Sequence, residues 1–450
     1  MNIYILDSML NRMLKRKITD DLMRWKNGPR KKSLLVRGAR QVGKTFSINE
    51  FGKNNYGAYI YINFEENPSY KDIFAGDRDV DTIMRKMSMA FKDKEFIPGD
   101  TLIFLDEIQN CPDARVAFKF FTQDGRYDVI GSGSLLGVLY KEVSSYPVGY
   151  EDVIDMRSLD FEEFLWAMGV GDDSIAYVRE CISRKEAIDD FTLGEFEKYL
   201  KQYMLVGGMP EAVSVFRGTG HYGQAQTVMK GILGGYMDDV SKYAVGLDKN
   251  RVRATFLSIP AQLSKRNKKF TYVDIEGRKG NGRNVYGDGL SWLYDAGVID
   301  FCHNLQKPAL PLAGNKRLNA FKVYMKDTGL LVSMMEDDLS FALRDDGIYV
   351  NKGAIAENLV AEMISKNGHP LTYFERRGTL EVDFILNLKG AVTAVEAKSG
   401  GNKQSKSLDV VMSDKYGVDR GIKLERGNIH VDGKGVEHYP IFAAAFLESM

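Results

Sequence analysis

Gly38-Ala39-Arg40-Gln41-Val42-Gly43-Lys44-Thr45 is an unbroken G-x-x-x-x-G-K-[ST]. The apolar run Ser33–Arg37 (SLLVR) leads into it, and the segment that leaves it opens a helical stretch. Strand, glycine loop and helix in that order are the context that gives the pattern its chemistry. Glycines let the backbone curl until successive N–H groups and a helix N-terminus face one point, which makes a cradle for phosphate. In that cradle Lys44 reaches the β- and γ-phosphates and the Thr45 hydroxyl is placed to ligate Mg²⁺. The alternative, a glycine-rich turn with a chance lysine, leaves the flanking strand and helix unexplained.

Working outward, a second element should supply acids, and Thr101–Glu107 (TLIFLDE) does so 62 positions after Lys44. Four apolar residues cross a sheet, and two carboxylates emerge at its C-terminal edge, where open α/β sheets bind ligands. Asp106 is placed to hold Mg²⁺, directly or through water, opposite Thr45. Glu107 is placed to orient and deprotonate an attacking water. A metal-holding acid needs no neighbour but hydrolysis needs a base, so the pair favours ATP hydrolysis over small-molecule phosphorylation. At the next strand end, Gly131-Ser132-Gly133-Ser134 sets hydroxyls beside the same edge. Ser132 is the candidate sensor of the γ-phosphate, with a plain turn serine as the bland reading. Arg115 and Arg126 are candidates for a charge-stabilising arginine, or simple surface charges.

Five short apolar runs (33–37, 58–64, 101–105, 128–132 and 153–157) alternate with longer helical stretches. Continuous apolar runs separated by helices predict an α/β fold with a parallel sheet covered on both faces. After Asp160 the apolar residues recur at three- and four-residue spacing, which predicts helices to about Asp248. Residues 246–322 then hold 14 Lys/Arg against 6 Asp/Glu. FTYVDIEGR and VYGDGLSWLYDAGVIDFCHNL within that stretch suggest a small winged-helix-like module. Lys265, Arg266, Lys268, Lys269, Arg278, Lys279 and Arg283 are its candidate phosphate-backbone contacts, or a solvated basic loop. A helix near Gly353–Lys366 and a β-hairpin, LEVDFIL–NLKG–AVTAVEAK, mark a final α/β part. The expected divisions are a helical lead-in over 1–30, an ATPase core over 31–165, a helical lid over 166–248, the basic module over 249–315 and a last domain over 316–450.

The hairpin also asks for a chemical reading. Alternation puts Glu381, Asp383 and Ile385 on one face of a single strand, and Val392, Ala394, Glu396 and Lys398 on one face of the next. A turn at Asn387–Gly390 with a two-residue loop pairs 383 with 394 and sets Glu396 diagonally beside Asp383. Clustered carboxylates repel, so a divalent cation or the lysine must compensate.

Composition bounds the rest. The 450 residues are 44% hydrophobic and 27% charged, which excludes wholesale disorder. Lys+Arg and Asp+Glu number 61 each, so a globally basic nucleic-acid coat protein is excluded. Cys111, Cys181 and Cys302 lie far apart and give neither a disulfide framework nor a zinc pattern. No apolar run approaches the roughly 18 residues needed to span a bilayer. The N-terminal MNIYILDSMLNRMLKRK reverses the charge order of a signal peptide, so a soluble cytoplasmic protein is expected.

Together SLLVRGARQVGKT, YINFEE, TLIFLDEIQ, VIGSGS and SLDFEEF resemble the predicted AAA+ ATPases of bacteria and archaea that carry a C-terminal domain of unknown function. LVGGMPEAV (205–213), GYMDDVSKY (235–243), FKVYMKDTGLL (321–331), EVDFI and VEAKSG extend the likeness over nearly the whole chain. One departure is Gly149-Tyr150, where that group's pattern carries Gly-Arg. The spacing Asp383…Glu396-x-Lys398, with Glu357 on the preceding helix, resembles the PD-(D/E)xK nuclease core. That likeness implies Mg²⁺ held by carboxylates and water activated with help from the lysine; a silent domain that only binds is the alternative. The resemblances imply an AAA+ ATPase with ATP and Mg²⁺ as cofactors. Its nucleotide state would act on DNA through the last domain or, alternatively, recruit a protein partner.

Overall fold

The five apolar runs are five strands: β1 (Ser33–Gly38), β2 (Ala58–Asn63), β3 (Thr101–Asp106), β4 (Asp128–Ser134) and β5 (Glu151–Asp155). In the computed structural model they form one sheet in the order β2-β3-β4-β1-β5, with every neighbouring pair parallel. The structure describes residues 13–135, 147–243, 248–276, 282–335, 352–376, 380–398, 406–413 and 415–450. They form two compact units, Lys15–Ser158 with Asp295–Gly297, and Leu159–Tyr294 with Val298–Met450.

Central position explains the unbroken apolar strands. β3 and β4 are buried at every residue, because helices cover both faces of the sheet. β5 is an edge strand and alternates between half-buried and exposed positions. On one face Ile60, Ile62, Ile103, Leu105 and Val129 pack against Ile83 and Met87 of helix Val80–Ala90 and Phe118 and Phe121 of helix Pro112–Asp124. The boundaries of these helices follow local chemistry. Asp79 accepts the Thr82 N–H at 2.8 Å to cap the first, and Pro112 starts the second, which stops at Gly125 with φ 72°.

The second unit opens with a reciprocal cap read straight from SLDFEEF. The Glu163 N–H donates to Asp160 Oδ1 at 2.9 Å, and the Asp160 N–H donates to Glu163 Oε2 at 3.0 Å. Helices Phe161–Ala167, Asp172–Arg184, Asp190–Val206, Pro210–Thr219, Tyr222–Tyr243 and Lys249–Leu263 follow. The strands are β6 (Ile299–Leu305), β7 (Lys316–Met325), β8 (Thr372–Arg376), β9 (Leu380–Val382), β10 (Phe384–Leu388), β11 (Ala391–Ala397), β12 (Arg420–Glu425), β13 (His430–Val431) and β14 (Glu437–Pro440). They make a four-stranded sheet, β7-β6-β8-β9, and a five-stranded sheet, β10-β11-β12-β14-β13.

Here the hairpin departs from its expected form. LEVDFIL is two strands that part at Asp383, with β9 pairing to β8 and β10 to β11. The turn also lies further on. Leu388 pairs with Ala391, and Lys389 (φ 53°) and Gly390 (φ 89°) are the two central residues. Two successive positive φ values are what a twisted two-residue hairpin turn requires, so Gly390 belongs inside the loop. Residue 394 therefore pairs with Ile385, not with 383.

Candidate nucleotide site and a buried acidic centre

The phosphate loop joins β1 to helix Lys44–Asn55. Gly43 turns the chain at φ 94°, in the left-handed region that glycine adopts without strain. Gly38 is glycine for a different reason: a Cβ there would lie 2.2 Å from the Met156 carbonyl oxygen. The loop also has a brace that sequence reasoning missed. The buried Arg16 guanidinium donates to the Val42 carbonyl at 2.9 Å and to the Arg157 carbonyl at 2.7 Å. Lys44 folds back, and its ammonium donates to the Gly38 and Ala39 carbonyls at 3.0 and 2.7 Å. Burial lowers the Lys44 pKa to about 8 despite the opposing pull of Glu107 and Asp106.

Asp106 ends β3 and is 2% exposed. Its carboxylate accepts from four donors. Oδ2 takes the Thr45 hydroxyl at 2.9 Å and the Tyr61 hydroxyl at 3.1 Å, while Oδ1 takes the Glu107 N–H at 3.1 Å and the Ser132 hydroxyl. The sheet order makes this convergence possible. β4 lies between β1 and β3, so the end of β4 delivers Ser132 between the loop and the acid. Tyr61 is held in turn by the Asn63 amide at 3.2 Å, and Asn63 accepts the Glu65 and Glu66 N–H groups at 2.9 and 3.1 Å. Neither residue had been read as functional, although YINFEE carried them. Alternation along β2 places Tyr61 and Asn63 on one face, which is the signal that was available.

Glu107 follows with φ 51°, a left-handed conformation that costs a non-glycine residue of order 1 kcal/mol or more. Its carboxylate accepts from the Gln109 amide. Burial, then the neighbouring Asp106 charge, raises its pKa.

The two arginine candidates lie elsewhere. Arg115 is buried and forms a two-pronged pair with Glu151, at 2.9 and 3.3 Å. Glu151 pairs with Ser33 at the start of β1, roughly 16 Å of strand from Gly38 at about 3.3 Å per residue. Arg126 pairs with Asp124 and Asp81 just before β4 begins. Both therefore sit at the N-terminal edge of the sheet, opposite the loop. Tyr150, in place of the expected arginine, immediately precedes β5 at that same edge. Its substitution thus takes nothing from the phosphate cradle of its own chain.

The second unit gathers the other predicted residues around a buried centre. Glu357, on helix Lys352–Lys366, is bound on Oε1 by the Lys322 ammonium at 2.9 Å and by the Tyr324 hydroxyl, and on Oε2 by Lys268. Lys322, on β7, is 1% exposed and also pairs with Glu381 at 2.7 Å. Asp383 Oδ2 accepts the Ala397 N–H at 2.9 Å, and Lys398 pairs with Glu396 at 2.5 Å. Burial favours the neutral Glu357 carboxyl, but Lys322 and then Lys268 outweigh it and hold its pKa down. Burial and the Glu357 charge push Asp383 up. Lys322 was not anticipated. Two of the predicted nucleic-acid contacts are engaged here or close by, since Lys268 holds Glu357 and Lys265 pairs with Asp274. Arg278, Lys279 and the side chain of Arg283 lie outside the described residues. Among the described residues no group of three or more His, Cys, Asp or Glu is arranged to hold a metal.

The group-specific segments also meet. The Gly208 N–H donates to Asp327 at 2.9 Å, and Gly329 packs directly on Gly207. Thr328 donates its N–H and hydroxyl to Glu362, and Glu362 accepts from Tyr203 and Lys366.

A parallel sheet bearing a glycine loop on one strand and paired acids on another defines a P-loop ATPase, and residues 30–165 match the family model described as AAA domain. Residues 30–165 are thus an AAA-type P-loop ATPase domain that binds ATP. Residues 197–340 and 352–442 match two domains of unknown function, DUF8612 and DUF4143. Comparison with curated proteins finds no match. Among solved structures, the Aeropyrum pernix ORC1 protein in complex with DNA is 14% identical with a TM-score of 0.28, over 75% of this chain and 94% of that one. Cdc6p from Pyrobaculum aerophilum is 13% identical with a TM-score of 0.28, over 78% and 98%. The tetratricopeptide-repeat signal-transduction ATPase PH0952 from Pyrococcus horikoshii is 12% identical with a TM-score of 0.27, over 79% and 46%. Among the described residues no helix is long and apolar enough to cross a membrane.

Proposed function

We propose that the first unit hydrolyses ATP with Mg²⁺ and that the nucleotide state sets the binding state of the second. The observation that carries the first half is the Thr45 hydroxyl resting 2.9 Å from Asp106 Oδ2. These are the hard oxygen donors that suit Mg²⁺, which takes few protein ligands and keeps several waters, so a three-acid cluster is not required. When bound, the ion neutralises charge between the β- and γ-phosphates. The amides of Gly38, Ala39, Arg40, Gln41, Val42 and Gly43 line the cradle. Lys44 exchanges two loop carbonyls for phosphate oxygens. Ser132 and Tyr61 orient Asp106, and Glu107 takes a proton from the attacking water. Glu107→Gln should bind ATP normally and release phosphate far more slowly than wild type, while Lys44→Ala should not bind. Wild-type turnover in Glu107→Gln would remove the base assignment.

For the second unit, the internal pairing of Glu357, Glu381, Lys268 and Lys265 favours a nucleotide-driven switch that recruits a protein partner over a DNA-cutting machine. Basic side chains already spent on acids contribute less to a phosphate-binding surface. The nucleic-acid reading makes a distinct claim: salt-dependent DNA affinity that changes with a non-hydrolysable ATP analogue. That result would reinstate it, and a flat response supports the switch.

A further inference from the structure

The nuclease resemblance puts a divalent metal among Glu357, Asp383 and Glu396, and the donor set can be tested for it. Both oxygens of Glu357 are occupied, one by Lys268 and the other by Lys322 and Tyr324. Glu381 is held by Lys322, Asp383 accepts the Ala397 amide, and Glu396 Oε1 is held by Lys398. Among the described residues Glu396 Oε2 is buried without a partner. An ion placed between Glu357 and Glu396 would have to displace an ammonium group from each, which the neutral donors around Asp106 do not require. The residues do not fit the metal.

We infer that Lys322 is the resident cation of this centre, an internal ammonium in the role that the resemblance assigns to a metal ion. It is 1% exposed on a strand buried from Ala320 to Met325, bridges Glu357 at 2.9 Å and Glu381 at 2.7 Å, and lies 4.9 Å above the Tyr373 ring. It cannot swing out to admit a metal without leaving the buried Glu357 short of a partner, which proteins tolerate poorly. Four acids (Glu357, Glu381, Asp383 and Glu396) face three lysines (Lys268, Lys322 and Lys398), so charge is nearly balanced without any imported ion. The centre acts as a clamp that ties β7, the helix of Glu357, β9 and the segment of Lys268 together. With no metal to activate water, it does not cut phosphodiesters.

This inference rests on the same centre as the silent-domain reading but concerns metal occupancy, so the two can fail separately. Nucleotide-free full-length protein is titrated with Mn²⁺, free ion being followed by electron paramagnetic resonance, for wild type, Asp383→Asn, Lys322→Met and Lys322→Met/Glu357→Gln. Melting is recorded with and without Mn²⁺. Expected are no Asp383-dependent Mn²⁺ site in wild type, a marked fall in the Lys322→Met melting temperature, and recovery by Glu357→Gln. A saturable wild-type site lost in Asp383→Asn overturns the inference. So does a Lys322→Met protein that melts like wild type, or a double variant no more stable than the single one. Mn²⁺ binding without plasmid cleavage leaves the silent-domain reading standing, whereas cleavage that depends on Asp383 removes both.

Discussion

Asp106 and Glu357 are both buried carboxylates, and each is fully satisfied, but by partners of opposite character. Asp106 is ringed by three hydroxyls and one amide, all neutral, and the nearby ammonium of Lys44 rests on backbone carbonyls. Hydroxyls can rotate and offer a lone pair instead of a proton, so a cation can enter without breaking an ion pair. Glu357 is gripped by two ammonium groups, one of them fully enclosed. A site built to exchange ligands uses weak, neutral, rotatable donors; a site built to hold a fold uses charge that has nowhere to go.

The contrast breaks most visibly in stability. Lys322→Met should cost roughly 3–5 kcal/mol, as removal of one partner of a buried pair does, read as a drop in the denaturation midpoint. Lys44→Ala should leave that midpoint nearly unchanged, because its bonds are to carbonyls that water can satisfy, and should abolish nucleotide binding. Similar losses in both variants would erase the distinction.

Turnover sharpens the comparison next. Glu107→Gln should slow phosphate release by about 10²–10⁴-fold, the usual range for a lost general base. Because burial and Asp106 raise the Glu107 pKa, turnover should already decline on acidification above the ordinary glutamate value of about 4.3. The base is lost as it takes up a proton.

A smaller effect concerns Lys44. With its pKa lowered to about 8, the free protein carries a neutral amine at higher pH, whereas the phosphate complex favours the ammonium. ATP affinity measured from pH 7 to 9.5 should therefore weaken above about pH 8, with proton uptake on binding. A flat profile would contradict the burial of that side chain. Smallest is Tyr61→Phe, which removes one of four donors to Asp106 and should weaken Mg²⁺-ATP binding only a few-fold, in line with about 1 kcal/mol for one hydrogen bond.

Much of the first unit was legible because its signals are local. Apolar runs flanked by glycine, an Asp-x-x-Glu cap and a contiguous loop need no knowledge of distant partners. The second unit resisted where pairing is long-range. Nothing in LEVDFIL marks the break at Asp383, since the strand splits only because β8 claims one half and β11 the other. Lys322 reads as a surface lysine in FKVYM, and its acids come from positions 357 and 381. Part of the hairpin turn was within reach: Gly390 is the residue with the positive-φ preference, and Asn387 caps the turn by accepting the Gly390 N–H at 3.0 Å.

Arg16 has a practical corollary. Asn27-Gly28-Pro29 invites anyone trimming the ATPase to begin there, after the lead-in. That shortened enzyme would lose the guanidinium that holds the Val42 carbonyl, and a preparation that binds ATP poorly could be mistaken for an inactive family member when only the segment carrying Arg16 had been cut away.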